Sequence, residues 1–383
     1  MITERIYLDF NATAPLRPEA AEAVGHALTT WGNASSVHYE GRTARANIEL
    51  ARDQVAELVN GVEAGIVFTG GGTEANNLAV SGVISAEGIS RILVSAIEHP
   101  SVLEAARAVG IPLREVSVGS NGVIELDDLA QGLGEDDGRA LVSVMLANNE
   151  TGAVQPVAEI TNLAHHHGAV VHTDAVQAAG KMAVDFSALG VDMMSLSSHK
   201  IGGPQGAGAL LLRDGLKLHA QMRGGGQEMK RRAGTENVAA LAGFGAAARY
   251  VSANTAERTE LARLRTVMES AIAGQLPEAN ILCATADRLP NTSCVAVRGV
   301  PAEYLLIALD LAGFALSSGS ACSSGKVTRS HVLGAMGVGD DLADAAIRIS
   351  LGWSTSERQV RQFTEIFAEM CKRRIGAAAV AAA

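Results

Sequence analysis

The chain has 383 residues, 48% of them hydrophobic and 19% charged, a balance that suits a compact globular protein and excludes a disordered one. Its length allows about two domains and a large buried core, enough for an enzyme. Lys and Arg number 31 against 41 Asp and Glu, giving a net charge of −10, and the densest basic run is only Lys230, Arg231 and Arg232. Neither a nucleic-acid nor a membrane partner is therefore expected, and 3% aromatic residues leave few rings to stack on single-stranded bases.

The opening residues, MITERIYLDF, lack the basic and apolar regions of a secretory leader. No apolar run approaches the ~18 residues of a membrane span, so a soluble, cytoplasmic protein is expected. Cys283, Cys294, Cys322 and Cys371 are scattered without CxxC spacing, which suggests neither a disulfide framework nor a zinc knuckle.

In chain order, YLD reads as a first strand. From about Gly65 to Arg213, short β-branched runs alternate with helical patterns, the signature of crossover units and a mainly parallel sheet. Strands are predicted at GIVFTG, RILVSA, IPLREVSV, RALVSVMLA, AVVHTD, DMMSLS and AGALLLR. One helix opens at Thr73 and another runs from about Pro156 to His167, where His165, His166 and His167 suit the negative end of its dipole. Consecutive histidines point around a helix and do not converge on one ion, so no resident metal site is expected. A glycine-rich loop at Arg223–Gly234 precedes a long helical stretch from about Asn237 to Gly274, interrupted near Ser252–Ala256. Strand patterns at TSCVAVR, FALSSG and AIRISLG then suggest a smaller α+β domain, and GAAAVAAA reads as a fraying helix end.

The densest chemistry lies between residues 169 and 200. Asp174 falls at the carboxyl end of a buried strand, the edge where ligands of parallel sheets bind, with Gln177 three residues on. Ser197, His199 and Lys200 end a second strand at the same edge, followed by a Gly202–Gly203–Pro204 turn. Any single lysine after a strand is more often a solvated loop cation. One held in so shaped a backbone can condense with an aldehyde cofactor, and a buried carboxylate one crossover earlier is what pyridoxal phosphate needs to keep its ring nitrogen protonated. Gly70, Gly71 and Gly72 before a helix opening at Thr73 supply a phosphate cradle of free amides and one hydroxyl, which Ser197 and His199 can close from the other side.

His99, in EHPSV, suits a ring stacked on a planar cofactor and equally a residue closing a turn before Pro100. Asn149, in NNETG, is placed to donate to a phenolic oxygen or to serve the turn at Gly152. Cys322 stands among serines and glycines, a composition no packed core uses, and suits an exposed nucleophile; Cys294, in TSCVAVR, fits a buried structural cysteine. Arg348 sits where apolar alternation predicts burial, and a substrate carboxylate held bidentately is its natural partner.

Together GGGTEANN, EHPSV, NNETG, HTDAVQ, SSHK, GGGQE with AGTEN, SSGSACSS and IRISLG resemble the cysteine desulfurases, and the SSGSAC loop resembles their nitrogen-fixation and iron–sulfur-assembly group. The resemblance runs from YLDFNATAPLRPEA to about Trp353. It implies an α/β class V aminotransferase-like fold (PLP fold type I): a mainly parallel seven-stranded sheet in a large cofactor-binding domain at 15–254, and a small α+β domain at 1–14 and 255–383 that carries the cysteine loop.

It implies further that Lys200 tethers pyridoxal 5′-phosphate, Asp174 pairs with its ring nitrogen, and His99 stacks on the ring and moves protons. Asn149 and Gln177 would approach the phenolic oxygen, while Gly72, Thr73, Ser197 and His199 bind the phosphate. Thr235 would complete the phosphate site of a neighbouring subunit, hence a homodimer. Arg348, with Asn11 and Asn149, would hold the carboxylate of L-cysteine. Cys322 would take the sulfur as a persulfide for an iron–sulfur scaffold or another acceptor protein, leaving L-alanine, and would meet metal only as a transient cluster ligand in a scaffold complex. A selenocysteine lyase or another class V lyase or aminotransferase is the alternative, and a cofactor-free assembly platform is the non-enzymatic one. Departures from the family pattern are small: Trp353 where many relatives have arginine, a third glycine in the phosphate loop, and Gly325 and Lys326 after Cys322 where a proline is frequent before SHVL.

Overall fold

The computed structural model describes residues 5–61, 65–135, 138–318 and 329–382, with side chains as far as 377; Cys322 lies outside them. The chain opens with a short strand, β1 (Ile6–Tyr7). Seven strands then build the main sheet: β2 (Ile66–Thr69), β3 (Arg91–Ser95), β4 (Leu113–Val116), β5 (Ala140–Ser143), β6 (Val170–Asp174), β7 (Met193–Ser197) and β8 (Gly208–Leu212). These are the seven apolar runs predicted from the sequence.

Their order is β2-β8-β7-β6-β5-β3-β4. Every pair from β7 to β4 is parallel, whereas β8 runs antiparallel to both β2 and β7. The carboxyl ends of β2, β3, β5, β6 and β7 thus share one edge, and β8 begins there.

Most of these strands read as continuous apolar runs because helices cover both faces of the sheet. On one face Ile92, Val94, Val170 and Met193 pack with Leu78, Val83 and Val102 of the helices Gly72–Glu87 and Pro100–Ala108. On the other, Leu93, Val142, Val171 and Met194 join a core that includes Ile48, Ile160 and Phe244, from the helices Tyr39–Leu58, Val157–His166 and Val238–Ala253. The triple histidine ends its helix as predicted, with His165 Nε2 3.0 Å from Asp192 Oδ2. Among the described residues no group of side chains could hold a metal ion, and no helix is long and apolar enough to cross a membrane.

The smaller sheet is antiparallel, ordered β12 (Ser317–Ser318), β13 (Ala346–Ser350), β10 (Thr292–Val297) and β9 (Ala279–Leu282). One face of it packs with Leu264, Met268, Phe363 and Phe367 of the helices Ala256–Gln275 and Glu357–Ala382, in a core that also takes Ile6 and Leu8. β1 pairs in parallel with β11 (Phe314–Ala315), which brings the first residues beside a segment three hundred positions later. Two details differ from the sequence reading. The FALSSG run divides between β11 and β12, and β9 is a strand that ANIL, only partly buried, did not announce.

Two features of the main sheet set up its ligand edge. Gly208, at the start of β8, lies against the Gly71 backbone, and a Cβ there would meet it at 2.5 to 2.8 Å. His172, fully buried on β6, meets Ser143 Oγ of β5 at 2.8 Å and Ser195 Oγ of β7 at 2.9 Å. Burial pushes its pKa from 6.5 down to about 4, against the attraction of Asp174, so the ring is neutral at pH 7.

We expect Gly208→Ala to cost about 1–3 kcal/mol in chemical denaturation, because backbone must move to admit the methyl group. For His172 the unfolded chain binds a proton that the folded chain refuses, so its contribution to stability is complete above pH 6.5 and is lost as pH falls toward 4. His172→Gln should therefore melt earlier than the parent at pH 7 and show a shallower fall in melting temperature across that window. Parallel curves would show that His172 does not set the slope.

Candidate active site

A cavity of about 270 Å³ opens at the carboxyl edge of the main sheet. Its wall brings together Gly72, Thr73, His99, Asn149, Asp174, Gln177, Ser197, His199 and Lys200, nine of the residues singled out from sequence. At one end the wall continues into a wider opening formed by Gly70–Gly72, Thr73, Ser197 and His199.

That end is shaped by the turn between β2 and its helix. Gly71 has φ 154° and ψ 178°, a conformation that glycine alone adopts freely, and the first helical amides follow it. Glu74 braces the turn, accepting from Gly70 N at 2.7 Å while pairing with Arg232 at 2.8 Å. His199 hydrogen-bonds Thr13 Oγ1 through Nδ1, and burial together with the Lys200 and Lys181 charges lowers its pKa to about 4.

Asp174 presents a carboxylate with both oxygens occupied. Oδ2 accepts from Asn76 Nδ2 at 2.7 Å and Oδ1 from Val176 N at 2.9 Å, which fixes the plane of the group. Of the two roles left open by sequence, His99 takes the local one and is also placed at the cavity. It caps the helix Pro100–Ala108 by accepting from Ser101 N at 3.1 Å through Nδ1, and it lines the cavity. Burial outweighs Asp174 and lowers its pKa, so the ring is neutral, and with Nδ1 accepting, its proton sits on Nε2. The preceding Glu98 is fully buried; burial and the Asp174 charge raise its carboxyl well above the usual range, against the Met145 N–H it accepts at 2.6 Å.

Lys200 ends the tight turn Ser198–Lys200 after β7, and its Nζ donates to the carbonyl oxygens of Asn11 at 2.6 Å and Ala12 at 2.9 Å. Asn11 is buried just behind the wall, donating to Thr292 Oγ1 at 2.8 Å and to the Asn149 carbonyl at 3.2 Å. Arg348, on β13, is 2% exposed. Its Nη2 donates to Asp9 Oδ1 at 2.8 Å and its Nη1 to the Asn149 carbonyl at 3.2 Å, while Nε is buried with no partner among the described residues. The partner expected from sequence was a substrate carboxylate; the chain supplies one of its own. Thr235 is exposed and is not among the residues that line this cavity.

The stretch that carries Cys322 is outside the described residues, but its flanks are not. Ser317 Oγ donates to Asp9 Oδ2 at 2.7 Å. On the far side Ser330 Oγ donates to Glu150 at 2.5 Å and His331 Nε2 meets the Glu98 carbonyl at 2.9 Å. Cys283, Cys294 and Cys371 are all buried, and burial raises the pKa of each thiol.

Sequence reasoning missed Asn76, Ser101, Asp9 and Lys181. Asn76 had a signal, one helical turn beyond Gly72 and so facing the same side. Asp9 stood two residues before Asn11, but its pairing with a residue 339 positions away carries no local mark.

Residues 6–363 match the family model described as Aminotransferase class-V. A cysteine desulfurase of Cereibacter sphaeroides is 42% identical over 371 residues, covering 95% of each chain. The solved structure of a NifS-like protein from Rickettsia africae superposes with a TM-score of 0.89 at 35% identity, over 96% of this chain and 99% of that one. A structure described as SspA in complex with cysteine has a TM-score of 0.78 at 28% identity, over 90% of this chain and 98% of that one. With a match across nearly its whole length, the chain belongs to the class-V aminotransferase family.

Proposed function

We propose that the chain is a pyridoxal 5′-phosphate-dependent cysteine desulfurase, with the cofactor seated in the cavity between Asp174 and Lys200 and Cys322 receiving the sulfur. One observation carries this: a single cavity wall bears a lysine amine, a buried carboxylate fixed at both oxygens, and a glycine turn opening a helix. The relative named above as a cysteine desulfurase and the family's use of pyridoxal 5′-phosphate support it.

The residues fit that group. A Cβ on Gly72 would stand 2.9 Å from Val176 and 3.3 Å from Ser197, so the cradle exists only because no side chain fills it. Asn76 Oδ1 is buried on the same wall with no partner among the described residues. When bound, the cofactor supplies a protonated ring able to hold the electron pair left by a bond broken at the substrate α-carbon.

The protein's own groups do the rest. Gly72, Thr73, Ser197 and His199 hold the phosphate, joined by Thr235 from a second copy in a homodimer. Asp174 holds the ring nitrogen, and Asn149 and Gln177 face the ring oxygen. His99 covers the ring and, neutral at pH 7, is ready to take a proton. Lys200 tethers the cofactor and, once displaced by substrate, accepts the α-proton at Nζ. Arg348, with Asn11 and Asn149, holds the carboxylate of L-cysteine, which must share the guanidinium with Asp9 or displace it. The solved relative in complex with cysteine supports that choice of substrate.

The Cys322 thiolate then attacks the substrate sulfur. The C–S bond breaks with its electron pair on the carbon side, which takes up protons and leaves as L-alanine, while Cys322 keeps the sulfur as a persulfide. An iron–sulfur scaffold or another acceptor protein is its destination. In this scheme residues 15–254 carry the cofactor and Asn149, and 1–14 with 255–383 carry the thiol together with Asn11 and Arg348.

Cys322→Ser should keep the yellow colour of the loaded protein while alanine formation from L-cysteine falls at least ~100-fold. Lys200→Ala should abolish the borohydride-reducible tether. Alanine release that survives in Cys322→Ser would assign the chain to a lyase that needs no protein thiol. Arg348→Lys should raise KM for L-cysteine by about tenfold or more through loss of bidentate binding, and an unchanged KM would remove Arg348 from the substrate site.

A further inference from the structure

Lys181 follows the glycine turn at Gly180 and is 7% exposed, yet among the described residues no carboxylate lies within ion-pair distance of it. Its Nζ donates to two side-chain amides, Asn11 Oδ1 at 2.8 Å and Gln177 Oε1 at 2.5 Å. Burial, with Lys200 and Arg348 nearby, pushes its pKa well below the ordinary lysine value. Two N–H bonds are enough for both amides, so the arrangement holds whether or not the amine is protonated.

A glutamine side chain has an oxygen and an NH₂ of almost equal size, and only its neighbours decide which faces where. A neighbour that donates settles the matter. Among the described residues Lys181 is the one donor to Gln177 Oε1, and it turns the NH₂ the other way. One of those hydrogens meets the Asn11 carbonyl at 3.0 Å, the same oxygen that receives Lys200 Nζ at 2.6 Å. The other has no acceptor among the described residues, on a side chain that forms part of the cavity wall. Asn11 is less dependent on the lysine, because Asn291 Nδ2 also donates to its Oδ1, at 3.1 Å.

We infer that Lys181 is a positioning residue that locks the Gln177 amide with its N–H toward the cavity, so that the site offers a donor to the oxygen on the cofactor ring. This rests on the proposal above that Gln177 faces that oxygen. Lys181 itself touches neither cofactor nor substrate.

The test compares binding of pyridoxal 5′-phosphate and of its 3-deoxy analogue, which lacks the ring oxygen, to the full-length protein freed of cofactor. In Lys181→Met the apparent dissociation constant for the natural cofactor should rise about five- to tenfold, and that for the analogue less than about twofold. Gln177→Ala should show the same selective loss, and the double variant should bind no more weakly than Gln177→Ala. Lys181→Arg keeps a donor-only head, with a cavity of about 40 Å³ beside it for the extra bulk, and should discriminate like the parent; it serves as the second probe if the methionine variant does not fold.

If Gln177→Ala loses the oxygen-dependent affinity and Lys181→Met does not, or loses affinity for both compounds equally, the inference is overturned while the assignment of Gln177 stands. If Gln177→Ala treats both compounds alike, that assignment fails and takes the inference with it.

Discussion

A polar group that leaves water must find a partner or shed its charge, and the ligand edge of the main sheet gathers many such groups. Asp174 is satisfied by Asn76 and a backbone amide. His172 is satisfied by serines on both neighbouring strands and stays neutral. Glu98 takes the other course: burial favours its protonated form. Arg348 recruits Asp9 from the start of the chain. Each solution holds a side chain in one place without help from a ligand, which is how a site acquires its geometry ahead of its chemistry.

Much of the fold was legible because apolar β-branched runs and helical periods are local patterns. The seven strands of the main sheet, the helix after the glycine turn and the break between the helices Val238–Ala253 and Ala256–Gln275 all declare themselves within a few residues. β9 does not, since a four-residue, partly exposed strand has too little apolar content to show a period. The reversed direction of β8 was also hidden, because an apolar run buried on both faces reads the same in either sense.

The cavity wall was legible for a different reason. Its residues follow strand ends, and a parallel sheet delivers all such ends to one edge, so Asp174, Ser197, His199 and Lys200 converge once the strands are known. The layer behind the wall was not. Asp9 with Arg348 and Lys181 with Asn11 join positions 339 and 170 apart, and nothing near any of them announces the pairing. Residue type pointed to the right chemistry, a guanidinium for a carboxylate, but the first carboxylate it meets belongs to the protein.

The antiparallel course of β8 has an outcome of its own. Because it starts where its neighbours end, what it brings to the cavity is the close backbone contact at Gly208, and it carries the chain away. The connection after Leu212, with Arg213, Asp214 and Gly215 all exposed, emerges on the opposite rim of the sheet. Extra sequence grafted there, such as an affinity handle or a reporter dye, would grow outward from the back of the molecule and leave the pocket untouched.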